Sequence, residues 1–136
     1  MSECIFCKMM DGSIPAYTVY EDEEFKVILD RYPAILGHTL VIPKKHVADI
    51  FELDEETAGR LFKLAVKYAG IIKKAFNYPG MNILQNNGAV AGQSVHHFHM
   101  HLIPRHEKDN VTIKWATMDP AHEDFEKIIK VIQNAD

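Results

Sequence analysis

Short apolar runs separated by polar turns fill the first third of the chain, and then the spacing changes to that of a helix. Tyr17 to Glu21 and Phe25 to Asp30 read as short strands on either side of the acidic turn Glu21 to Glu24. Pro33 and Gly37 mark a loop, after which His38 to Pro43 is β-branched, apolar and strand-like. Asp54 fits an N-cap, and the acidic residues after it suit a helix N-terminus. Leu61, Leu64, Ala65, Tyr68, Ile72, Ala75 and Phe76 then recur at helical spacing, with Lys63, Lys67, Lys73 and Lys74 between them. This predicts one amphipathic helix from Glu55 to Asn77, stopping before Pro79-Gly80. Met81 to Gln85 predicts a fourth strand, Asn86 to Gly92 a glycine-bearing loop, and His97 to Ile103 a fifth strand terminated by Pro104. Asp119 is expected to cap a last helix with Pro120 at its first position and Phe125, Ile128, Ile129 and Ile132 as its buried stripe.

Strands and helices in this order do not alternate regularly. An α+β class, with a five-stranded antiparallel sheet, one long helix and a C-terminal helix, is favoured over a doubly wound sheet. No repeat or linker divides residues 1–136, which read as a single domain with a core over about 4–106 and a C-terminal extension over 107–136. A chain of 136 residues can bury a core without disulfides. The net charge of -4 argues against a broad footprint for polymeric nucleic acid, yet leaves room for a small phosphorylated ligand. Met1 to Pro15 holds no apolar run of signal-peptide length, and nothing approaches the roughly 18 apolar residues of a membrane span. A reducing cytoplasm is the expected compartment.

Cys4 and Cys7 form a C-x-x-C pair. Zinc ligation, a redox dithiol and two unrelated small side chains all fit; redox fits least, because no strand precedes the motif. Of eight histidines, His96, His97, His99 and His101 fall within six residues. On a strand His97, His99 and His101 would share one face at about 6.5–7 Å spacing, with Phe98, Met100 and Leu102 on the other. A single metal ion held by all three is disfavoured, since His97 and His101 would stand about 13–14 Å apart. Nucleophilic catalysis suits them better, because imidazole, with a reference pKa near 6.5, is largely neutral at working pH. Just upstream, Gly92-Gln93-Ser94 offers a loop through which backbone N–H groups and neutral side chains can approach an anion.

The string Gln93-Ser94-Val95-His96-His97-Phe98-His99-Met100-His101-Leu102-Ile103 resembles the signature of the histidine-triad family, H-φ-H-φ-H-φ-φ with φ apolar. The likeness extends to Asn86, Gly88 and Gly92, to His38-Thr39-Leu40-Val41-Ile42-Pro43-Lys44-Lys45-His46, and to Ile5-Phe6 and Ile14-Pro15. It is strongest toward small bacterial members of the nucleotide-binding, phosphoramidase-like branch. The resemblance implies that His99 is the nucleophile, its Nδ1–H held by a backbone carbonyl, and that His101 is a phosphate ligand. Ser94 and Gln93 would be donors to phosphate and leaving group, with Asn86 and Gly92 beside them and His38 a further active-site histidine. Asp30 would hold the ribose hydroxyls, and Ile5, Phe6, Met9, Ile28 and Leu40 would wall the base. Arg31 stands where relatives carry an apolar residue.

By the same resemblance Cys4, Cys7, His46 and His97 would hold a structural zinc ion, a closed Cys₂His₂ set, and no catalytic metal is required. The implied activity is hydrolysis or transfer at the α-phosphate of purine nucleotide conjugates, of the adenosine phosphoramidate or acyl-AMP type. Dinucleoside polyphosphate hydrolysis is the alternative within the same chemistry, and a non-catalytic nucleotide-binding scaffold the alternative outside it. A homodimer joining two sheets into ten strands is also implied, with the long helix at the interface and the segment around Trp115 reaching the partner's site.

Overall fold

A computed structural model describes residues 3–136 of the protein. Strands β1 (Thr18–Glu21), β2 (Phe25–Leu29), β3 (Thr39–Pro43), β4 (Gly80–Leu84) and β5 (Met100–Arg105) form one sheet in the order β1-β2-β3-β5-β4, antiparallel throughout. Among the described residues three α-helices accompany it: α1 (Ile5–Met10), α2 (Glu55–Phe76) and α3 (His122–Ala135). The expected α+β architecture is therefore present.

Both faces of the sheet are covered. On one, Val27, Val41, Phe98, Met100 and Leu102 pack against Leu61, Ala65, Tyr68 and Ile72 of α2. On the other, Ile28, Leu40 and Ile42 pack against Phe6 and Met10 of α1. Each such side chain contributes about 1.5–3 kcal/mol when fully buried. Helix α2 matches its expected span: Asp54 accepts from the Thr57 N–H at 2.9 Å, and Asn77 ends the helix in the left-handed region at φ 54.

Helix α1 has no counterpart in the elements read from the sequence. Its N-cap is Cys4, whose Sγ accepts from the Cys7 N–H at 3.3 Å. At the other end Lys26 Nζ donates to the Met9 carbonyl at 2.9 Å, tying the helix to β2.

Two expectations are corrected. Strand β5 begins at Met100, not His97, and continues through Pro104 to Arg105. Before it the backbone leaves the ladder: the Phe98 N–H donates to the Val47 carbonyl at 2.8 Å, beyond the end of β3. The His97 carbonyl is taken by the His99 ring, while the His97 ring Nε2–H donates to the Pro43 carbonyl at 2.8 Å. Pro104 is tolerated because the β3–β5 pairing stops at Thr39 opposite Leu102, so no bond to β3 is lost there. The second correction concerns α3. Its N-cap is Ala121, whose N–H donates to the Asp124 carboxylate at 3.1 Å, and not Asp119. Phe125, Ile128, Ile129 and Ile132 are exposed, as is every residue from 121 to 136. The amphipathic pattern identifies a helix with a face to bury, but not what buries it.

Gly37 turns the chain into β3 with φ +100, and a Cβ there would meet the Phe76 ring at 3.0 Å. Gly37→Ala is expected to cost about 2 kcal/mol. Gly59, in α2 with nothing within 4 Å of an added Cβ, is the control. Gly59→Ala should stabilise by about 0.5–1 kcal/mol. Urea midpoints moving in opposite directions check both.

Candidate active site

Leu40 of β3 stands opposite His101 of β5, so the two share the α1 face of the sheet. A cavity of about 710 Å³ opens there, between α1, the end of β2 and the start of β5. That is the size range of ligand sites, roughly 300–1,000 Å³. Ile5, Phe6, Met9, Ile28 and Leu40 form an apolar wall, and Asp30, Ser94, His99 and His101 supply the polar groups.

His99 is oriented by its neighbours. Its Nδ1–H donates to the His97 carbonyl at 2.7 Å, which leaves Nε2 as an unprotonated lone pair. Its ring meets Phe6 edge-on at 4.9 Å and His101 at 5.0 Å. Burial pushes its pKa below the ordinary histidine value, against the upward pull of the His97 carbonyl and the Asp30 charge. His101 is pushed down to about 4, by burial first and then by His99 and His38, with Asp30 opposing. Both rings are therefore neutral near pH 7.

The tautomer of His101 is fixed through His38. The Ala34 N–H donates to His38 Nδ1 at 2.9 Å, so the His38 proton sits on Nε2. That proton points at His101 Nδ1, 2.8 Å away, with Asp30 Oδ2 at 3.4 Å. His101 accepts on Nδ1 and so carries its own hydrogen on Nε2. Asp30, His38 and His101 lie close enough to share a cation. A metal on His38 Nε2 would have to displace a proton from a ring whose other nitrogen already accepts, so the trio is better suited to a hydrogen-bond chain.

Acid stability follows from the same cluster. His101 is faced by His99 from the segment before β5, by His38 from the start of β3 and by Asp30 from the end of β2. Its folded pKa, about 4, lies below the 6.5 of an unperturbed histidine, so the unfolded chain takes up the proton first. This contribution is complete above the unfolded value and is lost as pH falls toward the folded one. Urea midpoints followed down this range should fall, and should fall less steeply in His101→Gln.

The loop before β5 is built by residues behind the cavity wall. Gly92 has φ +94, and Asn86 Nδ2 donates to its carbonyl at 3.3 Å. Gln93 differs from expectation. Its Oε1 accepts from the Gly88 N–H at 2.7 Å, while its Nε2 donates to the carbonyls of Ala48 at 2.7 Å and Val95 at 3.0 Å. A side-chain amide with both hydrogens and its oxygen so engaged holds the loop and has no hydrogen left for a ligand. Ser94 is exposed on the cavity wall. His38 also stands behind the wall, in contact with His101.

A second cluster lies on the far side of Phe6. Cys4 Sγ is 3.4 Å from His97 Nδ1, Cys7 Sγ is 3.3 Å from His46 Nδ1 and 3.5 Å from His97 Nδ1, and the two Nδ1 atoms are 3.2 Å apart. Four donors around one tetrahedral ion at ordinary Zn–S and Zn–N lengths would be separated by about 3.3–3.8 Å. Because His97 Nε2–H is engaged by Pro43, its Nδ1 is a free lone pair, the arrangement expected of a ligating histidine. Burial and the adjacent Cys4 push the Cys7 thiol up to about 11, so an ion entering here displaces protons. The donor set fits a metal ion. The cluster's quartet was legible only by resemblance, and the helix that carries its thiols was missed altogether, although Ile5, Phe6, Met9 and Met10 have helical spacing. Arg31 and Tyr32 also line the cavity, stacked with 4.8 Å between guanidinium and ring.

The antiparallel five-stranded sheet thus carries a tautomer-fixed histidine pair beside a cavity with an apolar wall. Residues 11–108 match the HIT domain, and the chain belongs to that family. It is 47% identical over 115 residues to protein hit of Bacillus subtilis, covering 84% of this chain and 79% of that one. It is 38% identical to the adenosine 5'-monophosphoramidase HNT1 of Saccharomyces cerevisiae, covering 94% and 77%. The crystal structure of a HIT family protein from Bacillus anthracis superposes with a TM-score of 0.93 at 44% identity, covering 98% and 97%. A zinc-bound histidine triad protein from Mycobacterium smegmatis superposes with 0.78 at 33% identity, covering 99% of each chain.

Proposed function

We propose that this protein hydrolyses or transfers at the α-phosphorus of purine nucleotide conjugates, adenosine phosphoramidates or acyl-adenylates, through a nucleotidyl-His99 intermediate. The observation that carries this reading is the His99 ring, held by its Nδ1–H on the His97 carbonyl with Nε2 unprotonated at the cavity. The similarity to a named adenosine 5'-monophosphoramidase supports the substrate class.

In the proposed reaction the base lies against Ile5, Phe6, Met9, Ile28 and Leu40, and the ribose hydroxyls reach Asp30. His99 Nε2 attacks phosphorus; the N–P bond forms as the bond to the leaving group breaks, a departing amine taking a proton from solvent water and a departing carboxylate needing none. The Nε2–H of His101 and the Ser94 hydroxyl stabilise the phosphoryl oxygens. Water then attacks the nucleotidyl-histidine, releasing the nucleoside monophosphate and restoring the lone pair. The ion at Cys4, Cys7, His46 and His97 is proposed to be structural zinc, supplying rigidity and no open coordination position. No catalytic metal is needed.

A homodimer is part of the proposal. Two features support it: the exposed apolar stripe of α3 and the exposed Trp115 before it. We place the protein, as one domain over residues 1–136, in the cytoplasm; among the described residues no helix is long and apolar enough to cross a membrane.

Steady-state turnover of a fluorogenic adenosine phosphoramidate, an aminoacyl-AMP and diadenosine polyphosphates is the test. Highest kcat/KM on the first two is expected. Preference for the polyphosphates would move the protein to the alternative chemistry, and nucleotide binding without turnover would make it a scaffold.

A further inference from the structure

Helix α1 is only six residues long, yet both sites depend on it. Cys4, its N-cap, and Cys7, in its first turn, face the two imidazoles of the metal quartet. Ile5, Phe6 and Met9, from the same turn and a half, form the wall of the cavity. Phe6 touches both centres, with its ring 5.9 Å from His97 and 4.9 Å from His99. His97 does the same by another route: its ring belongs to the quartet while its carbonyl holds His99 Nδ1. Apart from the quartet, α1 is secured by the burial of Phe6 and Met10 and by the bond from Lys26 to the Met9 carbonyl.

We infer that metal occupancy of the quartet and nucleotide occupancy of the cavity are positively linked, with Phe6 and His97 as the positioning residues that couple them. This rests on the reading of the cavity as a nucleotide site. The physical basis is shared ordering. An ion on Cys4 and Cys7 fixes α1, so a nucleotide arriving later finds its wall in place and its nucleophile oriented. A bound nucleotide, packed on Phe6, in turn opposes the movement of α1 that must accompany release of the ion. Linkage requires the two effects to be equal in size.

The experiment uses AMP as the probe and has two arms. In the first, AMP is titrated calorimetrically into metal-loaded protein and into protein stripped by a chelator, with circular dichroism confirming that the stripped form keeps its helix and sheet. About tenfold weaker binding to the stripped form is expected, within the usual range of coupling. The second arm needs no metal-free protein: the partition of zinc between wild type and a competing chromogenic chelator is measured at equilibrium with and without saturating AMP. AMP should tighten zinc binding about tenfold, and in Phe6→Ala, which keeps all four ligands, that gain should shrink to less than threefold. A zinc affinity unaffected by AMP in wild type overturns the linkage while leaving the nucleotide site intact, and a gain unchanged in Phe6→Ala overturns the assignment of Phe6 as a coupling residue. AMP that fails to bind even the loaded protein overturns the nucleotide reading itself, and the linkage with it.

Discussion

His99→Ala is expected to lower turnover of an adenosine phosphoramidate by a factor of about 10⁴ or more, corresponding to at least about 5.5 kcal/mol of barrier. On the proposed mechanism the substitution removes the covalent route as a whole, and what would remain is binding by the apolar wall and stabilisation by His101 and Ser94. The variant should still fold. The imidazole makes one strong hydrogen bond, to the His97 carbonyl, and its loss costs about 1–2 kcal/mol. The apolar wall of Ile5, Phe6, Met9, Ile28 and Leu40, on which the proposed base contact rests, is untouched by the substitution. Binding of AMP within a fewfold of wild type, measured by calorimetry, together with lost turnover is the expected pair of results. Lost binding in a folded variant would instead give His99 a role in affinity.

The second large effect concerns stability. Cys7→Ser is expected to abolish stoichiometric zinc binding and to lower the melting temperature by about 10 °C, on the basis of about 3 kcal/mol lost from a chain of this size. Cys7 Sγ lies 3.3 Å from His46 Nδ1 and 3.5 Å from His97 Nδ1, and a hydroxyl is a poor substitute for a thiolate. Without the ion, α1 keeps its apolar contacts, the Lys26 bond and the Ile14 N–H bond to the Lys8 carbonyl, with weak thiol–imidazole hydrogen bonds in place of four metal bonds. Metal content by elemental analysis and a melting curve read the two effects separately. Full metal content in the variant would remove Cys7 from the ligand set.

Much of this was legible in the chain, for reasons that can be named. Helix α2 announces itself through Asp54, the spacing from Leu61 to Ile72 and the stop at Asn77, all local signals. The antiparallel sheet follows from apolar runs bounded by turn residues. Strict alternation from His97 does not show where β5 starts, because tertiary partners take the backbone there: Val47 accepts from the Phe98 N–H and the His99 ring occupies the His97 carbonyl. The exposure of α3 was illegible because amphipathicity carries no address. Gln93 was expected among the phosphate donors, but the engagement of its amide depends on Gly88, Ala48 and Val95 converging from three places, which spacing cannot show. The hydrogen-bond chain from Ala34 through His38 to His101 was hidden for the same reason.

Rapid quench of a single turnover with a labelled adenosine phosphoramidate, followed by peptide mapping in the mass spectrometer, addresses the chemistry at its root. An adenylyl group on the peptide containing His99, forming and decaying at rates compatible with turnover, is the expected result. The group on a different residue, or turnover with no adduct at any time point, would contradict covalent catalysis at His99.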